Sequence, residues 1–303
     1  MATSVGIVDE PAWAAEQGHR GRGLGDGWRI QAVDTHPPHI PETDAWRDGD
    51  LSILADPRTP DLFHIRFAGV ASFEVDFGKR EIRVRKLGDP SPETLQHLIF
   101  DQIYPRILAN YGKLVLHAAG ILFGTDAVLL LGASGSGKST LGAAMHQAGL
   151  QLLGDDAVVI SWDGGLPAAR AVYPSLRLFR DSIDRVWDSS AELSRVADYT
   201  DKWNVLGLDD GSSPEAAPVR AIFILDPHRD DAIELAPADG SAACIALVEQ
   251  SFSLHPANPA DAARRLGQAS ALAEHVPKFR LRFPRDYSRL PAVREAICSI
   301  LTE

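Results

Sequence analysis

The sequence predicts an α/β protein with a β-rich N-terminal region, and three features support this fold class. Apolar and polar residues alternate with period two in three short segments, as in strands with one solvated face: residues 63–67, 72–77 and 81–85. An apolar run at 127–131 leads through a glycine-rich loop into a helical pattern at 139–148. Further along the chain, short apolar segments alternate with helical patterns such as 259–275 and 290–301. Together these patterns indicate strands packed against helices.

The chain divides into three predicted parts. Residues 1–27, rich in Gly and Ala, are expected to be a flexible segment, 28–110 a β-rich subdomain with a helix, and 111–303 the main core. Helical spacing covers residues 91–110, where Pro105 predicts a kink or a division into two helices. The three alternating strands would form an antiparallel sheet ahead of this helix.

The core is predicted to contain several short apolar strands around the glycine-rich loop. They are residues 114–119, 127–131, 152–153, 157–160, 221–225 and 278–283. Gly149 is expected at the C-terminal cap of the helix at 139–148. Asp226 follows the strand at 221–225, but the adjacent Pro227 favours a turn at this point over a Walker B acid.

Composition and charge argue against several classes of function. The 303 residues carry 30 Lys and Arg against 41 Asp and Glu, a formal net charge of −11 at pH 7, which argues against a dedicated nucleic-acid-binding surface. The two cysteines, Cys244 and Cys298, exclude a disulfide scaffold and a Cys-rich zinc site, and they suit a reducing compartment. No apolar run approaches the length of a membrane-spanning helix, and the N-terminal residues lack the apolar core of a signal peptide. We therefore expect a cytoplasmic protein without nucleic-acid or membrane partners.

The most informative segment is a phosphate-binding loop that matches the pattern G-x-x-x-x-G-K-[ST] in full. It consists of Gly132, Ala133, Ser134, Gly135, Ser136, Gly137, Lys138, Ser139 and Thr140. The glycines allow successive backbone N–H groups to turn towards a phosphate, and the helix that follows adds the positive end of its dipole. Lys138 would contact the β- and γ-phosphates of a nucleotide, and the Ser139 hydroxyl would bind Mg²⁺. The flanking strand and helix supply the context that the motif requires, against the alternative of a glycine-rich turn that matches by chance.

An acidic pair, Asp155 and Asp156, lies between two short apolar segments after the loop. Adjacent carboxylates at a strand end repel each other unless a cation or a proton relieves the repulsion. Beside a phosphate-binding loop, one carboxylate can hold Mg²⁺ while the other accepts a proton from an attacking hydroxyl. A solvated acidic turn joining two strands is the alternative. His117 ends the buried strand before the loop, and on its own it is more typical of a hydrogen-bonded core histidine than of a catalytic one.

The order of these motifs resembles a known kinase family. The sequence HAAG at residues 117–120 precedes the loop, and LGDDAV at 153–158 follows it. This arrangement resembles the C-terminal catalytic domain of HPr serine kinase/phosphorylase. It is more similar still to the HPr-kinase-like proteins found beside lasso-peptide and related peptide-modification genes. The resemblance covers roughly residues 60–300 and includes the stretch at 279–286.

The resemblance implies a P-loop kinase of the phosphoenolpyruvate-carboxykinase-like fold, with a mixed sheet. It implies that Asp155 deprotonates an acceptor serine and that Asp156 binds Mg²⁺ together with Ser139, and the reverse assignment of the two acids stays open. His117 would be an auxiliary group near the phosphates. The resemblance further implies ATP or GTP as the donor and the C-terminal serine of a precursor peptide as the acceptor. It also implies a homo-oligomer, for which the residues themselves give no interface signature.

Two features of HPr kinase/phosphorylase are missing from this sequence: the Arg-Gly-rich signature after the acidic pair and the basic C-terminal loop that contacts HPr. HPr as the acceptor and the phosphorylase reaction are therefore not expected. Arg177 and Lys202 are the cations best placed in this region to reach a phosphate or the substrate, against the alternative of solvated surface cations.

The motifs and the resemblance together predict a magnesium-dependent kinase that transfers the γ-phosphoryl group of ATP or GTP to a serine hydroxyl. The resemblance implies a lasso precursor peptide as the acceptor. One alternative is a nucleotide-binding regulatory protein without turnover. Another is a kinase of a small hydroxyl metabolite such as free serine. A peptide acceptor predicts a long groove beside the acidic pair, whereas a metabolite predicts a closed pocket.

Overall fold

The computed structural model describes residues 27–34, 45–56, 58–173, 175–187, 191–206, 208 and 216–302. The flexible segment expected at 1–27 lies outside these residues except for Gly27. The described residues form two compact units. The first contains the residues up to Tyr104 together with Ala197–Tyr199 and Leu254–Asn258, and the second contains the rest of the chain.

The first unit is built on a sheet of six described strands. They are β1 (Arg29–Ala32), β2 (Trp46–Asp48), β3 (Leu51–Ala55), β4 (Leu62–Phe67), β5 (Ala71–Asp76) and β6 (Glu81–Lys86). The strands lie in the order β1-β6-β5-β4-β3-β2. All neighbours are antiparallel except β1 and β6, which are parallel. One face carries the buried side chains of Phe63, Ile65, Phe73 and Val75, so the alternation in the sequence correctly predicts β4, β5 and β6.

The predicted helix at 91–110 is divided into three parts. They are helix α1 (Pro92–His97), a π-helical turn (Leu98–Ile103) and helix α2 (Tyr104–Asn110). Ser91 caps α1, because its side chain accepts a hydrogen bond from the Thr94 amide. Pro105 occupies the second position of α2 and has no N–H to donate. The pattern of backbone hydrogen bonds in the helix therefore changes in the turn before it. The predicted interruption is therefore confirmed, and it takes the form of a π-helical turn.

The second unit contains a nine-stranded sheet and a small three-stranded sheet among the described residues. Its strands are β7 (Leu114–Leu116), β8 (Ala119–Phe123), β9 (Asp126–Leu131), β10 (Gln151–Gly154), β11 (Val158–Asp163), β12 (Leu166–Ala171), β13 (Arg177–Phe179), β14 (Leu193–Arg195), β15 (Lys202–Val205), β16 (Ala217–His228), β17 (Glu234–Pro237) and β18 (Lys278–Pro284). The large sheet runs in the order β10-β8-β9-β16-β12-β11-β7, and β18 joins it beside β16 and pairs in turn with β17. The small sheet has the order β13-β15-β14.

Helices cover both faces of the large sheet. They are α3 (Lys138–Gln147), α4 (Arg180–Val186), α5 (Gly240–Glu249), α6 (Pro259–His275) and α7 (Leu290–Thr302), with a 3₁₀ turn at Tyr287–Arg289. Helices α5 and α6 pack on one face and contribute Leu247 and Leu272 to its core. Helices α3 and α7 pack on the other face and contribute Leu141 and Ile297. The side chains of β9 alternate between these two cores, as expected for a strand buried on both faces.

The architecture is a mixed α/β fold with parallel and antiparallel pairs in the large sheet, as predicted; the specific P-loop kinase subtype stays a prediction. No helix in the described part of the chain is both long and apolar enough to cross a membrane.

Two local predictions are wrong. The strand expected at 114–119 ends at Leu116, and the chain re-enters the sheet only at Ala119, because the His117 amide leaves the ladder and donates to Gln250 O at 2.7 Å. The turn expected at Asp226 and Pro227 is instead the end of β16. Strand β16 no longer pairs with β9 beyond Ile224. Pro227, which has no N–H to donate, is therefore tolerated on the side of the strand that faced β9.

Candidate functional site

The candidate site lies at one edge of the large sheet, where several strands end together. Strand β16 is parallel to both β9 and β18, so all three end at this edge. Strand β10 is antiparallel to β8, and β8 is antiparallel to β9, so β10 also ends there. The phosphate-binding loop follows β9, and the acidic pair follows β10. The sheet order therefore places the two motifs side by side.

The loop has the backbone geometry that its glycines predict. Gly132, Gly135 and Gly137 have positive φ values of +152°, +76° and +97°. A side chain at Gly132 would begin only 2.6 Å from Ser136 Oγ. Neither the backbone conformation nor the available space at this position therefore suits a residue other than glycine. Helix α3 begins at Lys138 directly after Gly137, and its first amides therefore point into the loop.

The Lys138 side chain folds back onto the start of the loop. Its side chain is buried, and its Nζ atom donates to Gly132 O at 2.7 Å and to Ala133 O at 3.3 Å. Burial lowers the pKa of the Lys138 ammonium, an effect that the nearby carboxylates of Asp155 and Asp156 oppose. The cation thus lies inside the loop, where a phosphate group would be bound.

Asp155 is fully buried behind the loop. The Arg177 amide donates to its Oδ2 atom at 3.4 Å, whereas Oδ1 has no hydrogen-bond partner among the described residues. Burial, followed by repulsion from Asp156, raises the pKa of Asp155 to about 6, although the nearby Ser139 hydroxyl and Lys202 act in the opposite direction. A buried carboxyl oxygen without a partner, next to the Ser139 hydroxyl, is a ligand set suited to a hard cation.

Asp156 faces the cavity and is held by an arginine and a histidine. Arg177 Nη1 donates to its Oδ2 atom at 2.5 Å, and His117 Nε2 lies 3.3 Å from its Oδ1 atom. Burial disfavours the charged form, but Arg177, His117 and Lys202 together outweigh burial and hold the pKa of Asp156 well below its usual range. Its φ of +71° lies in the left-handed region, which few residues with a side chain adopt, although Asp is among those that adopt it most readily. The surrounding contacts hold it in this conformation.

A cavity of about 400 Å³ joins these groups. The predicted site residues that line it are His117, Ser134, Gly135, Ser136, Gly137, Lys138, Ser139, Thr140, Asp156, Arg177 and Lys202. Three predicted residues lie outside its lining: Gly132, Ala133 and Asp155. The structure thus brings most of the predicted residues around one space, with Asp155 directly behind its wall.

The two predicted cations occupy different environments. Arg177 is 3% exposed, and its Nε atom donates to Asn204 Oδ1 at 3.0 Å, so it is a buried component of the site rather than a solvated surface residue. Lys202 Nζ lies 5.4 Å from the centre of the Phe179 ring, at the border of the cavity.

The sequence analysis missed several polar residues at the site. Thr140 Oγ1 lies 3.0 Å from Ser182 Oγ, which lies 3.0 Å from the Tyr287 hydroxyl. That hydroxyl donates to Asp181 Oδ2 at 2.8 Å. This network, Thr140–Ser182–Tyr287–Asp181, joins the loop helix to two distant parts of the chain, and no local pattern in the sequence signals it. Asn204, the partner of Arg177, is missed for the same reason.

Asp226 does not belong to the site. Its carboxylate accepts from Arg280 at 2.5 Å and lies 3.6 Å from Arg282, and it is absent from the cavity lining. The turn on which the prediction against a Walker B role rested is absent, so that prediction stays a prediction.

The comparisons with known proteins give little further information. No protein-family model matches the chain, and no curated protein sequence matches it. Among solved structures, the chain is similar to the Hpr(Ser) kinase/phosphatase from Coxiella burnetii, at 10% identity and a TM-score of 0.32. The similar region covers 61% of this chain and 92% of that chain. A similarity at this level carries no argument about activity, so function has to be inferred from the geometry of the site.

Proposed function

We propose that the protein is a P-loop phosphotransferase that moves the γ-phosphoryl group of ATP or GTP to a serine hydroxyl. One observation carries this proposal: a complete phosphate-binding loop and the Asp156–Arg177–His117 cluster open onto the same cavity. A loop that only bound nucleotide would not need a carboxylate held by an arginine and a histidine at the reacting end.

The loop would bind the donor through its backbone amides, its lysine and the start of α3. Lys138 Nζ now donates to loop carbonyls 2.7 and 3.3 Å away, and a bound phosphate would offer it stronger, charged acceptors. Arg177 and Lys202, which also line the cavity, would add positive charge. Catalysis would then rest on positioning and charge neutralisation, which is the main requirement of phosphoryl transfer.

The residues present fit a magnesium ion. Among the described residues there is no cluster of three or more His, Cys, Asp or Glu that would hold a metal by itself. Mg²⁺ does not need such a cluster, because it usually takes one or two protein oxygens and completes its shell with phosphates and water. We propose Ser139 and the unpartnered Asp155 oxygen as its protein partners. When bound, the ion would supply positive charge to the phosphate oxygens.

This assignment reverses the one that the resemblance implies, in which Asp155 is the base and Asp156 the metal partner. Asp155 is fully buried and outside the cavity lining, so an acceptor hydroxyl would not reach it without a rearrangement. Asp156 lines the cavity, so we propose that it receives the hydrogen bond of the attacking hydroxyl.

The reaction would then proceed in line. The acceptor oxygen forms a bond to the γ-phosphorus while the bond to the β–γ bridging oxygen breaks, and the acceptor proton leaves through Asp156 to solvent. Arg177 and His117 hold the Asp156 carboxylate in position during this step. Because the transition state is loose, the proton moves late. A weakly basic carboxylate such as Asp156 is therefore sufficient to orient the acceptor hydroxyl.

We propose a serine on a peptide or protein as the acceptor, with a lasso-type precursor peptide first among the candidates. This part rests on the HPr-kinase-like order of the motifs at 117–120, 132–140 and 153–158. The test is the intact mass of a precursor peptide, HPr and free serine after incubation with the protein, Mg²⁺ and ATP or GTP. A gain of about 80 Da on one acceptor, absent with Lys138→Ala, would support the proposal and identify the substrate. Nucleotide binding with no gain on any acceptor would favour a regulatory protein without turnover.

The roles of the two acids are tested by the magnesium dependence of two variants. Asp155→Asn is expected to raise the Mg²⁺ concentration needed for half-maximal rate by about tenfold or more. Asp156→Asn is expected to lower kcat by about a hundredfold at saturating Mg²⁺, with little change in that concentration. If Asp156→Asn raised the Mg²⁺ requirement and Asp155→Asn lowered kcat instead, the assignment implied by the resemblance would be correct.

A further inference from the structure

The proposed function assigns no role to the end of the cavity furthest from the acidic pair. The sheet order is β10-β8-β9-β16, followed by β18, so the acidic pair and the end of β18 lie on opposite sides of the phosphate-binding loop. The segment that follows β18 contributes Phe283, Pro284, Arg285, Tyr287 and Leu290 to the cavity lining.

This arrangement sets the direction of a bound donor. If the γ-phosphate lies beside Asp156, the rest of the triphosphate extends along the loop away from the acidic pair. The nucleoside then meets the segment after β18. Phe283 already borders the loop, since its ring is 3.6 Å from the place where a side chain on Gly137 would begin.

The chemistry of this end of the cavity suits a nucleoside. Phe283, Pro284 and Leu290 are buried and offer apolar surface to a base. The Tyr287 ring is fixed by the hydrogen bonds of its hydroxyl to Asp181 and Ser182, so this wall is already ordered. Rigid aromatic side chains that need no reorganisation are effective partners for flat, partly apolar groups.

Arg285 adds a cation that is available for a ligand. It is exposed and lines the cavity, and no hydrogen bond or ion pair of its guanidinium is found within the described part of the chain. Its neighbours differ: Arg280 and Arg282 pair with Asp226, and Arg289 donates to Asp231 O. A guanidinium can stack on an aromatic base and donate to its edge or to the ribose at the same time.

We propose that the segment from Phe283 to Leu290 binds the nucleoside of the donor, and that Arg285 is its main polar contact. This inference rests on the proposed function, because it requires the triphosphate to occupy the loop. It adds that the donor is recognised by its nucleoside as well as by its phosphates.

The test compares ATP with inorganic tripolyphosphate, which has the phosphates but no nucleoside. Binding of each is measured by calorimetry in the presence of Mg²⁺ for the wild-type protein and for Arg285→Ala. The wild-type protein is expected to bind ATP more tightly. Arg285→Ala is expected to weaken ATP binding by about five- to tenfold and tripolyphosphate binding by less than about twofold.

Two further variants make the result specific. Arg280→Ala removes the same charge from the neighbouring strand outside the cavity lining, and it is expected to change neither affinity. Tyr287→Ala removes a ring of the proposed wall and should again weaken ATP more than tripolyphosphate. Tyr287→Phe keeps the ring and should bind ATP within about twofold of the wild-type protein.

Equal weakening of both ligands by Arg285→Ala would overturn the inference, because it would identify Arg285 as a phosphate contact. Unchanged binding of both ligands would overturn it as well. In either case the proposed function would stand, provided that the wild-type protein binds ATP and transfers phosphate. If the wild-type protein bound neither ATP nor tripolyphosphate, the proposed function itself would fail.

Discussion

Gly154 connects the packing of the sheet to the position of the acidic pair, and its replacement by Ala tests that connection. It is the last residue of β10 and directly precedes Asp155. A side chain at Gly154 would begin 2.5 Å from Ala171 Cβ and 3.3 Å from Tyr173 O. Two such carbon atoms cannot approach this closely, so β10 or β12 must move. A shift of β10 moves Asp155 and Asp156 with it.

The expected size of the effect follows from this overlap. Overpacking of a filled core costs about 1–3 kcal/mol. The smaller backbone entropy of Ala in the unfolded chain returns up to about 1 kcal/mol. Because a contact of 2.5 Å is far inside van der Waals distance, the cost lies in the upper part of that range, about 2–3 kcal/mol. Subtracting the return of about 1 kcal/mol leaves a net loss of about 1–2 kcal/mol, which corresponds to a decrease in Tm of about 2–8 °C for a unit of this size. A displacement of the reacting groups by about 1 Å can lower the transfer rate by about a hundredfold.

The assay combines thermal unfolding with the phosphoryl-transfer rate for Gly154→Ala, Ala171→Gly and the double variant. Ala171→Gly removes the methyl group that the new side chain would meet. The double variant should therefore be more stable than the sum of the single effects predicts, by about 1 kcal/mol or more. Gly267→Ala is the matched control, because Gly267 lies inside α6 with no atom within 4 Å of the added carbon. It should stabilise the protein by up to about 1 kcal/mol.

Additive effects in the double variant would refute this reasoning, as would a Gly154→Ala protein with the stability and rate of the wild type. A change in stability equal to that of Gly267→Ala would also refute it, because the expected loss is assigned to the overlap with Ala171, which Gly267 lacks.

Three other outcomes are expected from changes at the site. Lys138→Met should retain the fold and lower transfer by at least about a hundredfold, as measured by intact mass and circular dichroism. In the folded protein the pKa of Asp155 is raised from 3.8 to about 6. Its contribution to stability is therefore fully present only below about pH 3.8 and is lost as the pH rises through about 6. In a buffer with a chelator, Asp155→Asn should therefore gain more in Tm over the wild type at about pH 7.5 than at about pH 5, and an equal difference at both pH values would contradict the cause given for the shift. Asn204→Ala removes the acceptor of Arg177 Nε and should lower kcat by about tenfold with a loss of about 1 kcal/mol in stability, whereas an unchanged rate would mean that Asp156 alone fixes Arg177.

The parts of the fold that were predicted correctly depend on neighbouring residues. The alternation in β4, β5 and β6 arises from one buried and one solvated face, and it is visible in six-residue segments. The loop after β9 is likewise specified within nine residues, because the glycine positions are fixed by its own backbone geometry. Helix α6 begins and ends at the predicted residues 259 and 275, because its helical spacing is likewise visible within one short segment.

The parts that were missed depend on contacts between distant residues. Ser182 and Tyr287 are 105 positions apart in the chain, and their hydrogen bond exists only because α4 and the segment after β18 meet at the loop. Strand β13 is three residues long and is stabilised by pairing with β15, so its own sequence carries no strand signal. The left-handed conformation of Asp156 is not predictable either, because it is fixed by Arg177 and His117 rather than by its neighbours in sequence.

The contrast between the two acids explains why the proposed reaction would use both of them. A carboxylate that faces an acceptor must remain ionised and oriented before the substrate arrives, and the pairing of Asp156 with Arg177 achieves this by lowering its pKa. The cost is weak basicity, which a loose phosphoryl-transfer step tolerates. Asp155 has the opposite properties, since its buried oxygen has no partner and its pKa is raised to about 6. A cation that binds beside Ser139 would supply both the missing partner and the compensating charge, so metal binding should release a proton from Asp155 at a pH near or below about 6, where the folded protein still holds it.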